Sequence, residues 1–261
     1  MTRPAVTRLN KDKNKNKPSF KDHFSGHADS YAAYRPTYPV ALMQFLADCC
    51  EQRRLAWDCA TGSGQTARAL TACFEKIIAT DASARQIESA MAHPRIEYRV
   101  AAAEDSGLSA RSVDLITVSQ ALHWFDIERF FDEAARVLVP GGVLSAWSYE
   151  MCIVEPAVDE LIRALYREVD AWWPPERRIV EARYSDIELP IPEIAAPEFE
   201  MTADWSADAM LGYLRTWSAC QRFLRERGTD PVSGIERALR EAWGEGRREV
   251  RWPIALKVGR A

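Results

Sequence analysis

Apolar residues recur along this chain with two different periods, and the alternation between the two sets the expected fold. Residues 40–53 carry Leu42, Met43, Phe45, Leu46 and Cys49 near helical spacing, which predicts a helix. Pro39 suits its first turn, because proline has no N–H to leave unpaired there. Residues 55–59 form a short apolar run that includes Asp58, and Thr61-Gly62-Ser63-Gly64 turns the chain into a helical stretch at 65–73. A β-branched run at 76–80 stops at Asp81, and 83–91 is helical with Ser83 as its N-cap. Strands are predicted at 95–101 and 113–119. Residues 127–138 return to helical spacing through Phe130, Phe131, Ala134, Val137 and Leu138, and Pro140-Gly141-Gly142 is a stop signal. A fifth strand occupies 143–147.

Strand and helix in steady succession imply parallel strands joined by right-handed crossovers. After Tyr149 the rhythm changes. Residues 158–173 predict a helix closed by Pro174-Pro175, whereas 176–197 is charged and proline-containing. Then come a strand at 198–203, one long helix at 207–227, another at 235–243 and a last strand at 251–258. Two C-terminal strands, one of them antiparallel, complete a Rossmann-like α/β fold: a seven-stranded, mostly parallel sheet with helices on both faces and a helical cap. The expected division is a basic tail at 1–19, a cofactor-binding core with an N-terminal helical cover at 20–150, and a cap insertion with the final strands of the sheet at 151–261.

Composition narrows the class. Apolar residues make up 47% and charged residues 28% of 261, as in a globular protein. A net charge of −4 argues against a partner bound through a phosphate backbone, so no nucleic acid is expected. No apolar run approaches the roughly 20 residues that span a bilayer, so no membrane partner is expected either. Six cysteines without a CxxC pair read as thiols of a reducing compartment, hence a cytoplasmic location. Nothing in the sequence decides between a monomer and a homodimer.

Candidate chemistry collects at three successive strand ends. In Asp58-Cys59-Ala60-Thr61-Gly62-Ser63-Gly64 an acid precedes a tight turn of small residues, where Gly62 and Gly64 let a ligand approach the backbone. Asp81-Ala82 ends the second strand about 20 residues on, where an acid accepts ribose hydroxyls. Ala101-Ala102-Ala103-Glu104 follows the third strand; the small residues leave room for an adenine and Glu104 offers it a polar edge. Parallel sheets bind ligands outside the carboxyl ends of their strands. A nicotinamide cofactor would use the same turn, and Ala67 keeps that alternative open on spacing alone.

In order and spacing these segments, together with residues 113–124 and Leu138-Val139-Pro140-Gly141-Gly142, resemble the class I S-adenosylmethionine-dependent methyltransferases over roughly residues 20–150. Tyr31, Tyr34-Arg35-Pro36, Tyr38-Pro39, Gln120-Ala121-Leu122-His123-Trp124-Phe125, Trp205, Trp217-Ser218-Ala219 and Arg251-Trp252-Pro253 are similar to the group that includes trans-aconitate methyltransferase. One departure is Ala60, where the family motif has its first glycine; a positive φ there would be penalised. The resemblance implies a methyltransferase acting on a small-molecule acceptor, with O-methylation of a carboxylic acid as one candidate reaction. The alternatives are a nicotinamide-dependent oxidoreductase and a catalytically silent S-adenosylmethionine-binding protein. By the same resemblance, Asp58, Ala60, Thr61, Gly62 and Gly64 surround the methionine part of the cofactor. Asp81 and Ala82 meet its ribose, Ala103 and Glu104 its adenine, and Gln120 and Ala121 lie beside it after the fourth strand. Tyr31 and Arg35 fold over the site. His123 is the candidate general base, with loop anchoring as the alternative, and Trp124, Trp173 and Arg177 are candidate acceptor contacts. No metal is implied.

Overall fold

The computed structural model describes residues 36–261; Tyr31, Arg35 and the basic tail lie outside the described residues. The chain runs α1 (Val40–Asp48), β1 (Leu55–Cys59), α2 (Gln65–Leu70), β2 (Lys76–Asp81), α3 (Ala84–Ser89), β3 (Ile96–Val100), β4 (Val113–Ser119), α4 (Ile127–Val137) and β5 (Leu138–Tyr149). It continues through α5 (Pro156–Glu168), the short α6 (Arg177–Glu181), β6 (Phe199–Trp205), α7 (Ala207–Arg215), α8 (Ser218–Arg227), α9 (Ser233–Trp243) and β7 (Arg248–Arg260). The seven strands form one sheet in the order β3-β2-β1-β4-β5-β7-β6. β1 to β5 pair in parallel, while β7 runs against both β5 and β6. It is the single reversed strand.

Alternation along the strands divides the core into two layers, because successive side chains point to opposite faces of a sheet. Ala56, Ile77, Leu115, Val143 and Trp147 face one layer, built with Leu42 and Leu46 of α1, Leu70 of α2, Ile162 of α5, Leu214 of α7 and Trp243 of α9. Trp57, Ile78, Ile116, Val118 and Leu144 face the other, closed by Phe130, Ala134 and Val137 of α4. Some buried polar groups inside this core are bonded, as where Trp57 Nε1 donates to Thr80 Oγ1 at 2.8 Å, while the indole N–H groups of Trp147 and Trp243 have no partner among the described residues. Asp114 Oδ2 accepts from the backbone N–H groups of Arg54 and Leu55, each at 2.9 Å, which fixes the start of β1.

The helix expected at 158–173 ends at Glu168, and four further differences from the sequence reading have a local cause or consequence. α1 stops at Asp48 rather than near residue 53, because Arg53 turns back to cap it, donating to Ala47 O at 3.1 Å and to Asp48 Oδ1 at 2.6 Å. The fifth strand starts at Leu138 and takes Pro140-Gly141-Gly142 into itself as an irregularity between two stretches of regular pairing with β4. A Cβ on Gly142 would lie 2.9 Å from Val139 O, so only glycine fits that bulge. The long helix expected at 207–227 is two helices. Trp217 adopts an extended backbone (ψ 132°) between them and is buried. Finally, the stretch after Pro175 contains α6 and then two consecutive left-handed residues, Arg183 (φ 57°) and Tyr184 (φ 58°).

Candidate active site

The strand order reverses between β1 and β4, so the loop after β1 opens at the crevice where parallel α/β sheets bind ligands. Ala60, Gly62 and Gly64 all have positive φ, at 54°, 56° and 86°. Two are glycines and adopt it freely. Ala60 pays for its Cβ about 1–2 kcal/mol of strain. The two glycines face different surroundings. A Cβ on Gly64 would run into the Tyr98 phenol, so α2 packs against β3 at closest approach there. Among the described residues a Cβ on Gly62 would meet only Gln86 Oε1, at 3.9 Å, and they leave the space above that backbone open.

Two carboxylates hold the loop in this form. Asp58 is fully buried and accepts from Thr61 Oγ1 (2.5 Å), Thr117 Oγ1 (2.7 Å) and the Ala67 backbone N–H (3.0 Å). It therefore ties the loop to β4 and to the first turn of α2. Burial pushes its pKa up to about 6 against those three hydrogen bonds. Both of its oxygens are engaged by the protein, beneath the loop. Asp81 accepts from the Gly62 N–H (2.9 Å) through Oδ2 and from the Ser83 N–H (2.8 Å) through Oδ1. It lies at the rim of the open space above Gly62. Ala82 is exposed beside it, Ala103 is buried, and Glu104 accepts from the Asp126 N–H at 2.9 Å, joining the loop after β3 to the start of α4.

The second half of the site lies at the ends of β4 and β5. Gln120 leaves β4 with φ 55° while its N–H donates to Trp147 O at 2.9 Å. Ala121 is buried beside it, and Leu122–Trp124 makes one 3-10 turn. There a cleft, partly open to solvent, is lined by Gln120, His123, Trp124, Tyr149, Trp173 and Arg177, with Tyr166, Tyr213 and Trp217 completing its aromatic wall. The structure thus brings together His123, Trp124, Trp173, Arg177 and Gln120, the residues singled out for the acceptor side and its border with the cofactor.

Arg177 lies in the aromatic wall. Its guanidinium carbon sits 4.8 Å from the centre of the Trp173 ring, and Nε donates to Tyr166 Oη at 3.0 Å. Tyr166 in turn donates to Glu181, whose carboxylate is 4.0 Å from Arg177 Nε. His123 Nδ1 lies 3.0 Å from the hydroxyl of Tyr184. Burial, with the Arg177 charge as the lesser cause, lowers the His123 pKa to about 3. The imidazole is therefore neutral at pH 7 and far too weak a base to take a proton efficiently.

Tyr166, Glu150, Tyr184 and Tyr213 were missed in the sequence. Tyr166 sits on the apolar stripe of α5 and reads there as core. Tyr184 carries no periodic signal, being placed by the left-handed pair that no residue type announces. Glu150 could have been suspected: it follows the strand that ends at Tyr149, and it forms a 3.0 Å ion pair with Arg183 at the cleft border.

The donor set fits an adenosyl group. The backbone at Gly62, an acid after β2 and small residues after β3 stand at neighbouring strand ends, and the cleft follows β4. Among the described residues no cluster of His, Cys, Asp and Glu could hold a metal ion, and no helix is long and apolar enough to cross a membrane.

Comparison with known proteins agrees with this geometry. Residues 57–146 match the model of a methyltransferase domain. A protein of Dictyostelium discoideum provisionally named a methyltransferase is 34% identical over 229 residues, 86% of this chain and 87% of that one. Methyltransferase pgmE of Aspergillus terreus is 28% identical over 184 residues, 60% of this chain and 55% of its own. A solved structure from Anaeromyxobacter dehalogenans, provisionally described as a type II methyltransferase, superposes with a TM-score of 0.82 at 44% identity, covering 87% of this chain and 98% of that one. With a relative so similar over nearly its whole length, and with the sheet order and loop geometry above, the chain belongs to the class I S-adenosylmethionine-dependent methyltransferases.

Proposed function

We propose that this enzyme methylates a small molecule on a carboxylate oxygen, with S-adenosylmethionine as methyl donor and Arg177 as the anchor of the acid. The observation that carries this reading is the state of Arg177. One face of its guanidinium is stacked on Trp173 and Nε is engaged by Tyr166, while Nη1 and Nη2 have no hydrogen-bond partner among the described residues. A planar fork held rigid by stacking, with its two outer nitrogens open, matches a carboxylate in geometry and charge. The indole N–H of Trp173 is likewise buried without a partner among the described residues, and a buried donor left open calls for an explanation. The Glu181 carboxylate near Nε tempers the positive charge without closing the fork.

The residues of the first half would hold the cofactor: the Gly62 backbone its methionine end, Asp81 and Ala82 its ribose, Ala103 and Glu104 its adenine, and Gln120 and Ala121 the border with the acceptor. When bound, the cofactor supplies an electrophilic methyl group on sulfur. What remains for the protein is alignment and exclusion of water. A carboxylate acceptor is already ionised at neutral pH, so a site without a competent base suffices, which agrees with the low basicity of His123. The aromatic wall from Tyr166, Trp173 and Trp217, whose ring centres lie 5.1–5.8 Å apart, suits an apolar body behind the acid group. The relatives are named methyltransferases, which disfavours the nicotinamide alternative.

The test is methyl transfer from labelled S-adenosylmethionine into a panel of small carboxylic acids, run beside the matching primary amides and amines. Label in one or more acids, recovered as a base-labile ester, is expected. Transfer confined to amines or phenols would overturn the carboxylate reading and leave the family assignment standing.

A further inference from the structure

Tyr184 is fully buried, yet its hydroxyl reaches across the molecule from the segment after α6 to a side chain on the loop after β4. It gets there through the left-handed pair Arg183-Tyr184, whose first member is tied to Glu150 and whose second closes a backbone bond to Ile179 O at 3.1 Å. Among the described residues His123 Nδ1, 3.0 Å away, is the one hydrogen-bond partner of this buried hydroxyl, so an O–H that did not donate to it would be left without an acceptor. Nδ1 is then the acceptor. A neutral imidazole that accepts at Nδ1 carries its one proton at Nε2. His123 lines the cleft, and Nε2 has no hydrogen-bond partner among the described residues.

We infer that His123 serves this site as a neutral hydrogen-bond donor through Nε2–H, its tautomer set by the buried hydroxyl of Tyr184, and that with Arg177 it forms a two-donor cradle for the acceptor's carboxylate. Tyr184 is on this view a positioning residue, and the strained pair that carries it exists to aim its hydroxyl. The identity of the cradle's ligand rests on the proposed function; the tautomer does not. A general base at the same place would need the opposite arrangement, with the proton on Nδ1, the Tyr184 oxygen accepting it and a bare Nε2 toward the acceptor.

The experiment is nitrogen-15 NMR of the full chain labelled at histidine. The chain has four histidines, so the spectrum of His123→Gln identifies the His123 signals by their loss. An unprotonated Nδ1 and a protonated Nε2 at neutral pH are expected, and in Tyr184→Phe the preference between the two nitrogens should weaken. Should the phenylalanine variant fail to fold, the wild-type spectrum alone decides. Turnover of whichever acid the labelled-methyl screen identifies gives a second readout. His123→Gln, which keeps an N–H donor and has no basicity, is expected within about tenfold of wild type, and His123→Ala about 100-fold below it, as for loss of a hydrogen bond to a charged group. A proton found on Nδ1, or a glutamine variant as impaired as the alanine one, overturns the inference. If the screen finds no acid while the tautomer is as expected, the carboxylate reading fails and the Tyr184–His123 assignment survives.

Discussion

The two halves of the site handle their polar groups in opposite ways. At the ends of β1 and β2 the acids Asp58 and Asp81 are engaged by the protein's own backbone and hydroxyl groups, so the loop is braced before any ligand arrives. At the ends of β4 and β5 the donors of Arg177, His123 and Trp173 face the cleft with partners missing among the described residues. A shared cofactor asks for a fixed cradle, and main-chain bonds provide it. Acceptor choice asks for donors whose desolvation only the right ligand offsets, and that is how a buried polar site rejects a wrong one.

The comparison can be broken at each half. Arg177→Gln should lower kcat/KM for an acid acceptor by about 100-fold, the loss of a charge-assisted bond, while calorimetric affinity for S-adenosylhomocysteine stays unchanged; a fall in both would merge the halves. In the first half, Gly64→Ala drives a Cβ into the Tyr98 ring at φ 86° and should cost about 2–3 kcal/mol of stability in denaturant unfolding. Asp81→Asn sets an NH2 against one of the two backbone N–H groups that Asp81 accepts from, so it should cost about 1–3 kcal/mol of stability and weaken S-adenosylhomocysteine binding by about tenfold; unchanged affinity would remove Asp81 from the cofactor site. Ala60→Gly relieves the left-handed strain and should stabilise the protein by about 1 kcal/mol, less the entropy that glycine adds to the unfolded chain. No gain on thermal unfolding would mean the loop relaxes around alanine.

The smallest effect concerns pH, where the halves carry opposite signs. His123 falls from its ordinary value of 6.5 to about 3, so between those values the unfolded chain binds a proton that the folded one does not. Its contribution to stability is present above pH 6.5 and is lost as the pH drops toward 3. Asp58 is raised from 3.8 to about 6; here the folded state binds the extra proton, and stability is gained as the pH drops through the same window. His123→Gln should therefore lose less stability than wild type between pH 7 and pH 5, measured by urea unfolding at each pH. An unchanged profile would show that His123 titrates alike in both states.

How much of this was legible beforehand follows from what each residue answers to. β1 and β4 fall at the residues expected, because buried parallel strands are continuous apolar runs that local composition betrays. Ser83 was recognisable as a cap, and it accepts from the Gln86 N–H at 3.4 Å. The break at Trp217 was not legible: its apolar spacing continues the helix, and only packing of its ring against Tyr166, Trp173 and Tyr213 pulls the backbone out of it. The Pro140-Gly141-Gly142 signal marked the end of the helix, which stops at Val137, but not the early start of the strand, which takes in these residues as an irregularity in its pairing with β4. At the site, residues were readable where a motif concentrates them. Their roles were not, because the engagement of Asp58 and the contact made by His123 Nδ1 depend on Thr117 and Tyr184, 59 and 61 positions away.

β7 enters the sheet between β5 and β6, and β6 is held to the sheet by β7 alone. β6 leads into α7, which brings Tyr213 to the cleft, and on to Trp217 and α8. During synthesis the cradle for the cofactor can therefore form long before the acceptor wall has anything to hang from. A nascent chain, or one clipped near residue 248, would lack the strand that joins β6 to the rest of the sheet.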